Sequence, residues 1–137
     1  MNKKLKSDLK KDGKSDLFIS QKTSSRRETF LKAPILVLLC LDTEELEEYN
    51  DPERDELEYL MGVQSVSSSA TYLLLTLEAK GYASCWYCAP LFAKEIVKEV
   101  LNLPQSYIPM AFFTVGRAKK APNIPKRKSL NEIIFKI

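Results

Sequence analysis

The stretch of residues 56–80 constrains the fold of this chain most, because no proline interrupts it and apolar side chains recur at helical spacing. Gly81 follows it, at the position where a left-handed glycine commonly ends a helix. The pattern predicts one long helix. Its middle, residues 65–71, is rich in small side chains, which let a second backbone or a flat ligand approach closely. Two explanations of this segment stay open, namely a tight crossing with another helix and a contact with a ligand.

Three apolar segments predict the strands of a sheet. Residues 35–41 are apolar without alternation, which is typical of a central strand covered on both faces. Residues 82–87 predict a short buried strand, and residues 110–116 predict a third strand. Between these two, Pro90 opens an amphipathic helix over residues 91–103.

Both ends of the chain are polar and basic. Residues 1–20 predict a short helix, a turn at Asp12 and Gly13, and a loosely held basic segment. Residues 22–32 predict a short charged helix that ends before Pro34. Residues 117–137 predict a basic tail and a carboxy-terminal strand, which needs a groove or a sheet edge to cover it. The whole of residues 1–137 is expected to form a single domain.

Composition excludes several classes of function. The chain has no histidine, so His-dependent acid–base catalysis and most histidine metal sites are excluded. The odd count of 3 cysteines excludes a fully paired disulfide framework. The net charge of +3 comes mostly from dispersed terminal lysines, which predict a solvated surface rather than a nucleic-acid interface. The longest apolar run is far shorter than the roughly 20 residues that cross a membrane, so we expect a soluble cytoplasmic protein.

Three segments in this order resemble the nitroreductase family, in particular the carboxy-terminal domain of coenzyme F420 glutamate ligases. They are Phe-Leu-Lys-Ala-Pro-Ile-Leu-Val at residues 30–37, the run from Tyr-Leu-Leu-Leu at 72–75 to Lys-Gly-Tyr-Ala-Ser-Cys-Trp-Tyr at 80–87, and Pro-Met-Ala-Phe-Phe-Thr-Val-Gly-Arg at 109–117. In spacing and order the resemblance covers residues 20–133. The ordered set of segments, rather than any one of them, carries the resemblance.

The resemblance implies an α+β fold, a two-layer or three-layer sandwich whose mostly antiparallel central sheet is flanked by helices. It also implies a homodimer with FMN at the subunit interface. In the family, hydride passes from NAD(P)H to the flavin and then to a small-molecule acceptor. The cofactor carries that chemistry, so no catalytic side chain and no metal are expected.

The cofactor-binding residues implied by the resemblance lie in three places. Ser65 falls where some family members place a glutamine on the flavin, and Lys126 and Arg127 fall where the family binds the FMN phosphate. The remaining residues form the loop after the second predicted strand, whose backbone amides pass beside the flavin ring in the family. They are Trp86, Tyr87, Cys88 and Ala89.

The sequence departs from the family at its amino-terminal side. Family domains carry an arginine-serine-arginine segment well before the first of these strands, which holds the phosphate and ribityl chain. Ser24-Ser25-Arg26-Arg27 lies too close to the strand at residues 35–41 and predicts an ordinary helix surface. The domain is therefore expected to be amino-terminally shortened, either as a natural relative or as a fragment of a longer reading frame, with FMN binding weakened or lost.

Two other functions stay open at this point. Cys85 and Cys88 have the C-x-x-C spacing of dithiol redox enzymes and lie where a strand meets a helix. The missing arginine segment favours the other alternative, a non-catalytic flavin-binding, anion-binding or scaffold remnant of a nitroreductase domain.

Overall fold

The structure, a computed structural model, describes residues 2–135, which form an α+β fold, as predicted. No helix in this range is long and apolar enough to cross a membrane. The elements in chain order are α1 (Asn2–Lys11), α2 (Asp16–Lys32), β1 (Ile35–Asp42), α3 (Pro52–Ala79), β2 (Ala83–Tyr87), a 3₁₀ helix (Ala89–Phe92), α4 (Lys94–Leu101), β3 (Tyr107–Gly116) and α5 (Leu130–Ile133).

The sheet is antiparallel, and its strand order is β1-β3-β2. The prediction that residues 35–41 form the central strand is therefore wrong, because β3 pairs with both other strands and β1 lies at an edge. At the start of β1, Ile35 and Leu36 keep 52% and 46% of their surface exposed. An apolar run therefore does not report which edges of a strand are paired.

One face of the sheet packs against α3. Phe113 of β3 is fully buried, and its ring centroid lies 5.4 Å from that of Trp86 on β2. Ala70 of α3 is also fully buried in this core cluster. Within the small-residue segment it is Ala70 that meets the sheet, so a tight packing contact explains this part of the segment.

The opposite face of the sheet is covered by α2, the 3₁₀ helix and α4. The Phe30 ring of α2 lies 5.0 Å from the Tyr87 ring and 5.8 Å from the Phe112 ring. Pro90 and Val97 are buried on this side. On this face, the end of β2 is therefore covered by helices of two different chain segments.

The long predicted helix is confirmed and begins slightly earlier than predicted. Asp51 caps α3 by accepting a hydrogen bond from the Glu53 N–H at 3.1 Å, and Pro52 occupies the first turn. At the other end, Gly81 has a φ of 75°, where a residue with a Cβ is strained.

The amino-terminal segment is more helical than predicted. Helix α1 and the turn at Gly13 agree with the sequence analysis, and residues 16–20 form the start of α2, which therefore begins earlier than the helix predicted over residues 22–32. The Ser15 hydroxyl starts this helix by accepting a hydrogen bond from the Phe18 N–H at 3.3 Å. Ile19 and Thr23 are buried, which fixes α2 on the protein.

The carboxy-terminal tail differs from its predicted strand. Residues 117–129 are without helix or strand and are mostly exposed, and Leu130–Ile133 then form α5. Ser129 donates from both its N–H and its hydroxyl to the Glu132 carboxylate, and these bonds favour this helical turn at the point where a strand was expected. The rest of the predicted strand includes Lys136 and Ile137, which lie outside the described residues.

Candidate functional site

The end of β2 offers main-chain hydrogen-bonding groups. β2 pairs with β3 along one edge, and no strand within residues 2–135 pairs with its other edge. Alternate N–H and C=O groups on such an edge stay open for a partner. These groups are therefore available to hydrogen-bond a polar ligand or another strand.

The turn after β2 is held rigidly. The Leu91 N–H donates to the Cys88 C=O at 3.2 Å, and the Ala93 N–H donates to the Pro90 C=O at 2.9 Å. Pro90 is buried, which fixes the backbone of the turn next to Cys88 and Ala89. A ligand that binds this turn would meet a preorganised backbone.

Trp86 and Tyr87 point to opposite faces of the sheet. The Trp86 indole lies on the α3 side, and its buried Nε1–H finds no acceptor among the described residues. An unpaired buried donor costs roughly 1–3 kcal/mol. Because the indole belongs to the core, any contact of Trp86 with a ligand on the free edge of β2 involves its main chain.

The surroundings of Tyr87 raise the pKa of its hydroxyl. Burial raises the pKa of Tyr87, and the neighbouring Cys85 thiol raises it further, whereas Thr114 and the Arg26 charge act in the opposite direction. Since the ordinary pKa of tyrosine is about 10, the hydroxyl stays protonated at neutral pH. It can therefore donate a hydrogen bond on the α2 side of the sheet.

The cysteines show no sign of a disulfide pair. Cys85 and Cys88 are exposed free thiols, one in the strand and the other in the following turn. Burial raises the pKa of the third thiol, Cys40, which disfavours its thiolate. Cys85 lines a shallow cavity of about 270 Å³ together with Lys32 and Arg117.

Ser65 does not lie at the turn after β2. It is exposed on α3 and lines an open cavity of about 540 Å³ beside the end of β1. Gly62 lets α3 approach this strand, because a Cβ there would lie 3.1 Å from side-chain carbons of Leu41 and Leu46. Ser65 shares no described cavity with the turn after β2.

Lys126 and Arg127 are exposed in the segment between β3 and α5, and neither lines the cavities that contain Arg26, Cys85 or Ser65. In one copy of the chain, the structure therefore brings together Trp86, Tyr87, Cys88 and Ala89. Ser65 and the basic pair stand apart from this group.

Arg26 is a residue whose position the sequence analysis did not anticipate. It was predicted on an ordinary helix surface, but it is half-buried and lines a cavity of about 240 Å³ between α1, α2 and the 3₁₀ helix. The sequence feature that indicates this position is the spacing of Ile19, Thr23, Arg26 and Phe30, which places all of them on one helix face. Its neighbour Arg27 is exposed, as predicted.

Solved structures share this fold. The chain is similar to a BluB-like flavoprotein from Clostridium difficile 630, with a TM-score of 0.68, 24% identity, and coverage of 98% of this chain and 70% of that one. It is similar to a nitroreductase family protein from Streptococcus pneumoniae TIGR4, with a TM-score of 0.55 and 23% identity over 77% of this chain and 65% of that one. A variant of the FMN and NADPH-dependent nitroreductase NfnB, derived from Sphigopyxis sp. strain HMH, gives a TM-score of 0.54 and 21% identity over 88% and 50% of the two chains.

These TM-scores show a common fold. The chain spans between 50% and 70% of the length of those three structures. The family itself follows from the sequence. The sequence model of the nitroreductase family matches residues 1–117, which is most of the chain. The chain therefore belongs to the nitroreductase family.

Proposed function

We propose that this chain provides the FMN-binding domain of a nitroreductase-type oxidoreductase, which carries hydride from NAD(P)H to a small-molecule acceptor. The observation that carries the proposal is the free edge of β2 running into the turn braced by Pro90. Among proteins of the same fold, one is described as a flavoprotein and another as FMN and NADPH-dependent. We also propose a relation to the carboxy-terminal domain of F420 glutamate ligases, which rests on the resemblance of the three segments above.

In this proposal the chain positions the cofactor rather than performing the chemistry. The main chain of residues 86–89 holds the ring, Lys126 and Arg127 hold the phosphate, and Ser65 supplies a further polar contact. When bound, FMN supplies the capacity to accept and donate hydride. The Tyr87 hydroxyl stays protonated at neutral pH and needs no catalytic assignment.

The test is the visible spectrum of the freshly purified chain, followed by titration with FMN and then with NADH and NADPH. We expect flavin absorbance that copurifies or is restored by FMN, and bleaching of that absorbance by a reduced nicotinamide under anaerobic conditions. Bound flavin that neither nucleotide bleaches supports the non-catalytic alternative. A chain that binds no FMN at any accessible concentration contradicts both the enzyme and the flavin-binding readings.

A second copy of the chain is part of this proposal. The separation of Ser65, the β2 turn and the basic pair in one copy is resolved if the site is assembled from two. Helix α3 also exposes large apolar side chains, including Leu57, Leu60 and Met61, each about half exposed. At about 25 cal/mol per Å² of apolar surface, covering such side chains contributes several kcal/mol to association.

We expect a homodimer in solution. Sedimentation equilibrium at micromolar concentration should give twice the chain mass, because in one copy the apolar face of α3 is about half exposed and the tail residues Ile133, Ile134 and Phe135 are more than half exposed. Deletion of residues 133–137 should shift the mass toward monomer or aggregate. A well-folded monomer of the intact chain argues against the interface and against a flavin site shared between subunits.

The thiols should be dispensable for nicotinamide oxidation. Replacing both Cys85 and Cys88 by serine removes two exposed thiols without emptying the core, so the rate of NAD(P)H-dependent reduction should stay within a few-fold of wild type. The two single variants separate their effects. A loss beyond tenfold, or about 1.4 kcal/mol of barrier, points instead to the dithiol mechanism.

A further inference from the structure

We infer that the cavity between α1, α2 and the 3₁₀ helix binds a small aromatic carboxylate, with the ring in the apolar part and the carboxylate on Arg26. The inference does not rest on the proposed flavin function, although Ala89 both lines this cavity and belongs to the proposed flavin site. It rests on the walls of the cavity, its charges and its volume.

The walls of this cavity come from three chain segments that meet after a tight turn. Gly13, with a φ of 69°, turns the chain so that α1 folds back along α2. The 3₁₀ helix closes the remaining side. Most of the lining is apolar, and its members are Leu5, Leu9, Phe30, Ala89, Phe92 and Ala93.

The charges that line the cavity leave Arg26 without an ionic partner. Lys4 and Asp8, both on α1, pair with each other at 3.7 Å. Asp12 lines the cavity as well, but it is exposed to water. Arg26 is half-buried and forms no salt bridge with any residue in the range 2–135. A half-buried guanidinium next to apolar walls favours a carboxylate, because its planar fork matches two carboxylate oxygens.

The volume fixes the size class of the ligand. An apolar cavity of about 150 Å³ is large enough for benzene, whereas sites for drug-sized molecules occupy about 300–1,000 Å³. At about 240 Å³ this cavity suits one aromatic ring with a small substituent. The Phe30 and Phe92 side chains offer aromatic surfaces to such a ring.

The test compares three probes of similar shape and different charge, namely benzoate, benzamide and benzylammonium, by calorimetric titration of the full chain without added flavin. We expect benzoate to bind at least tenfold more tightly than benzamide and benzylammonium to bind most weakly. Arg26→Gln should remove the preference for benzoate. Arg27→Gln, which changes the exposed neighbouring arginine, is the matched control and should keep it.

Two further variants test the apolar part. Ala93→Leu fills the cavity from a buried position, so it should abolish binding of benzoate and benzamide alike. Phe92→Ala removes a ring that is 71% exposed and so spares the fold, and it should weaken both probes by a similar factor. Equal binding of benzoate and benzamide by wild type, tightest binding of benzylammonium, or no binding of benzoate at millimolar concentration would each overturn the inference.

Discussion

Replacing Phe113 by alanine is expected to lower the free energy of unfolding by about 3–5 kcal/mol. Phe113 is fully buried at the centre of the sheet, where it contacts the Trp86 ring and lies in the same core cluster as Ala70. Truncation removes the transfer free energy of the ring and leaves a cavity that the paired strands on both sides cannot close. Because domains of this kind are stable by roughly 5–15 kcal/mol, the variant should be close to the limit of folding.

The measurement is urea-induced unfolding followed by circular dichroism at one fixed protein concentration, since association makes apparent stability depend on concentration. Phe92→Ala is the matched control, because the same truncation at a side chain that is 71% exposed should cost far less. A loss below about 1 kcal/mol at Phe113 would mean that the core is not arranged around this ring.

The regular elements could be predicted largely from local signals. The long helix α3 carries its own start and stop, since Asp51 and Pro52 suit a helix beginning and Gly81 suits an ending. The start of α2 at Asp16 could also have been found, because Ser15 has the side chain of a typical N-cap. These features depend on a few neighbouring residues, which is why one sequence is enough to locate them.

The order of the strands could not be predicted in the same way. Residues 35–41 and 110–116 are both apolar, yet β3 is the central strand and β1 is an edge. Strand order depends on pairing between distant segments, and the hydrophobic pattern of a strand carries no record of its partner. The apolar edge at Ile35 and Leu36 is consistent with a surface that a second copy covers.

The candidate site was predictable only in part, for a related reason. The residues from Trp86 to Ala89 are contiguous, so finding the strand and Pro90 was enough to place them. Arg26 depended on knowing which face of α2 is buried, and that face is set by contacts with α1 and the 3₁₀ helix. The assignment of Lys126 and Arg127 depends on a ligand or a second subunit, and it therefore stays a prediction.

The basic pair should dominate recognition of the FMN phosphate. Replacing Arg127 by alanine removes a charge-assisted hydrogen bond, typically worth about 1.5–3 kcal/mol, so the dissociation constant for FMN should rise by roughly 10-fold to 150-fold. Arg127 is exposed in the free chain, and its removal should leave the unfolding free energy nearly unchanged. The measurement is titration of flavin fluorescence at fixed ionic strength, because exposed charges are screened by salt.

Comparing riboflavin with FMN in the same experiment separates the contribution of the phosphate to the affinity from that of the ring. Riboflavin lacks the phosphate, so Arg127→Ala should weaken FMN strongly and riboflavin hardly at all, which narrows the difference in affinity between the two flavins. Lys120→Ala, which removes an exposed charge of the same tail, is the matched control and should leave FMN binding within a few-fold of wild type.

Lys126→Ala should behave like Arg127→Ala if the two cations act on one phosphate. The double variant should then lose less binding free energy than the sum of the two single losses. If FMN binding is unaffected in the Arg127→Ala chain while wild type binds measurably, Arg127 is not part of the site, and the phosphate must lie against other cations such as Lys32 or Arg117.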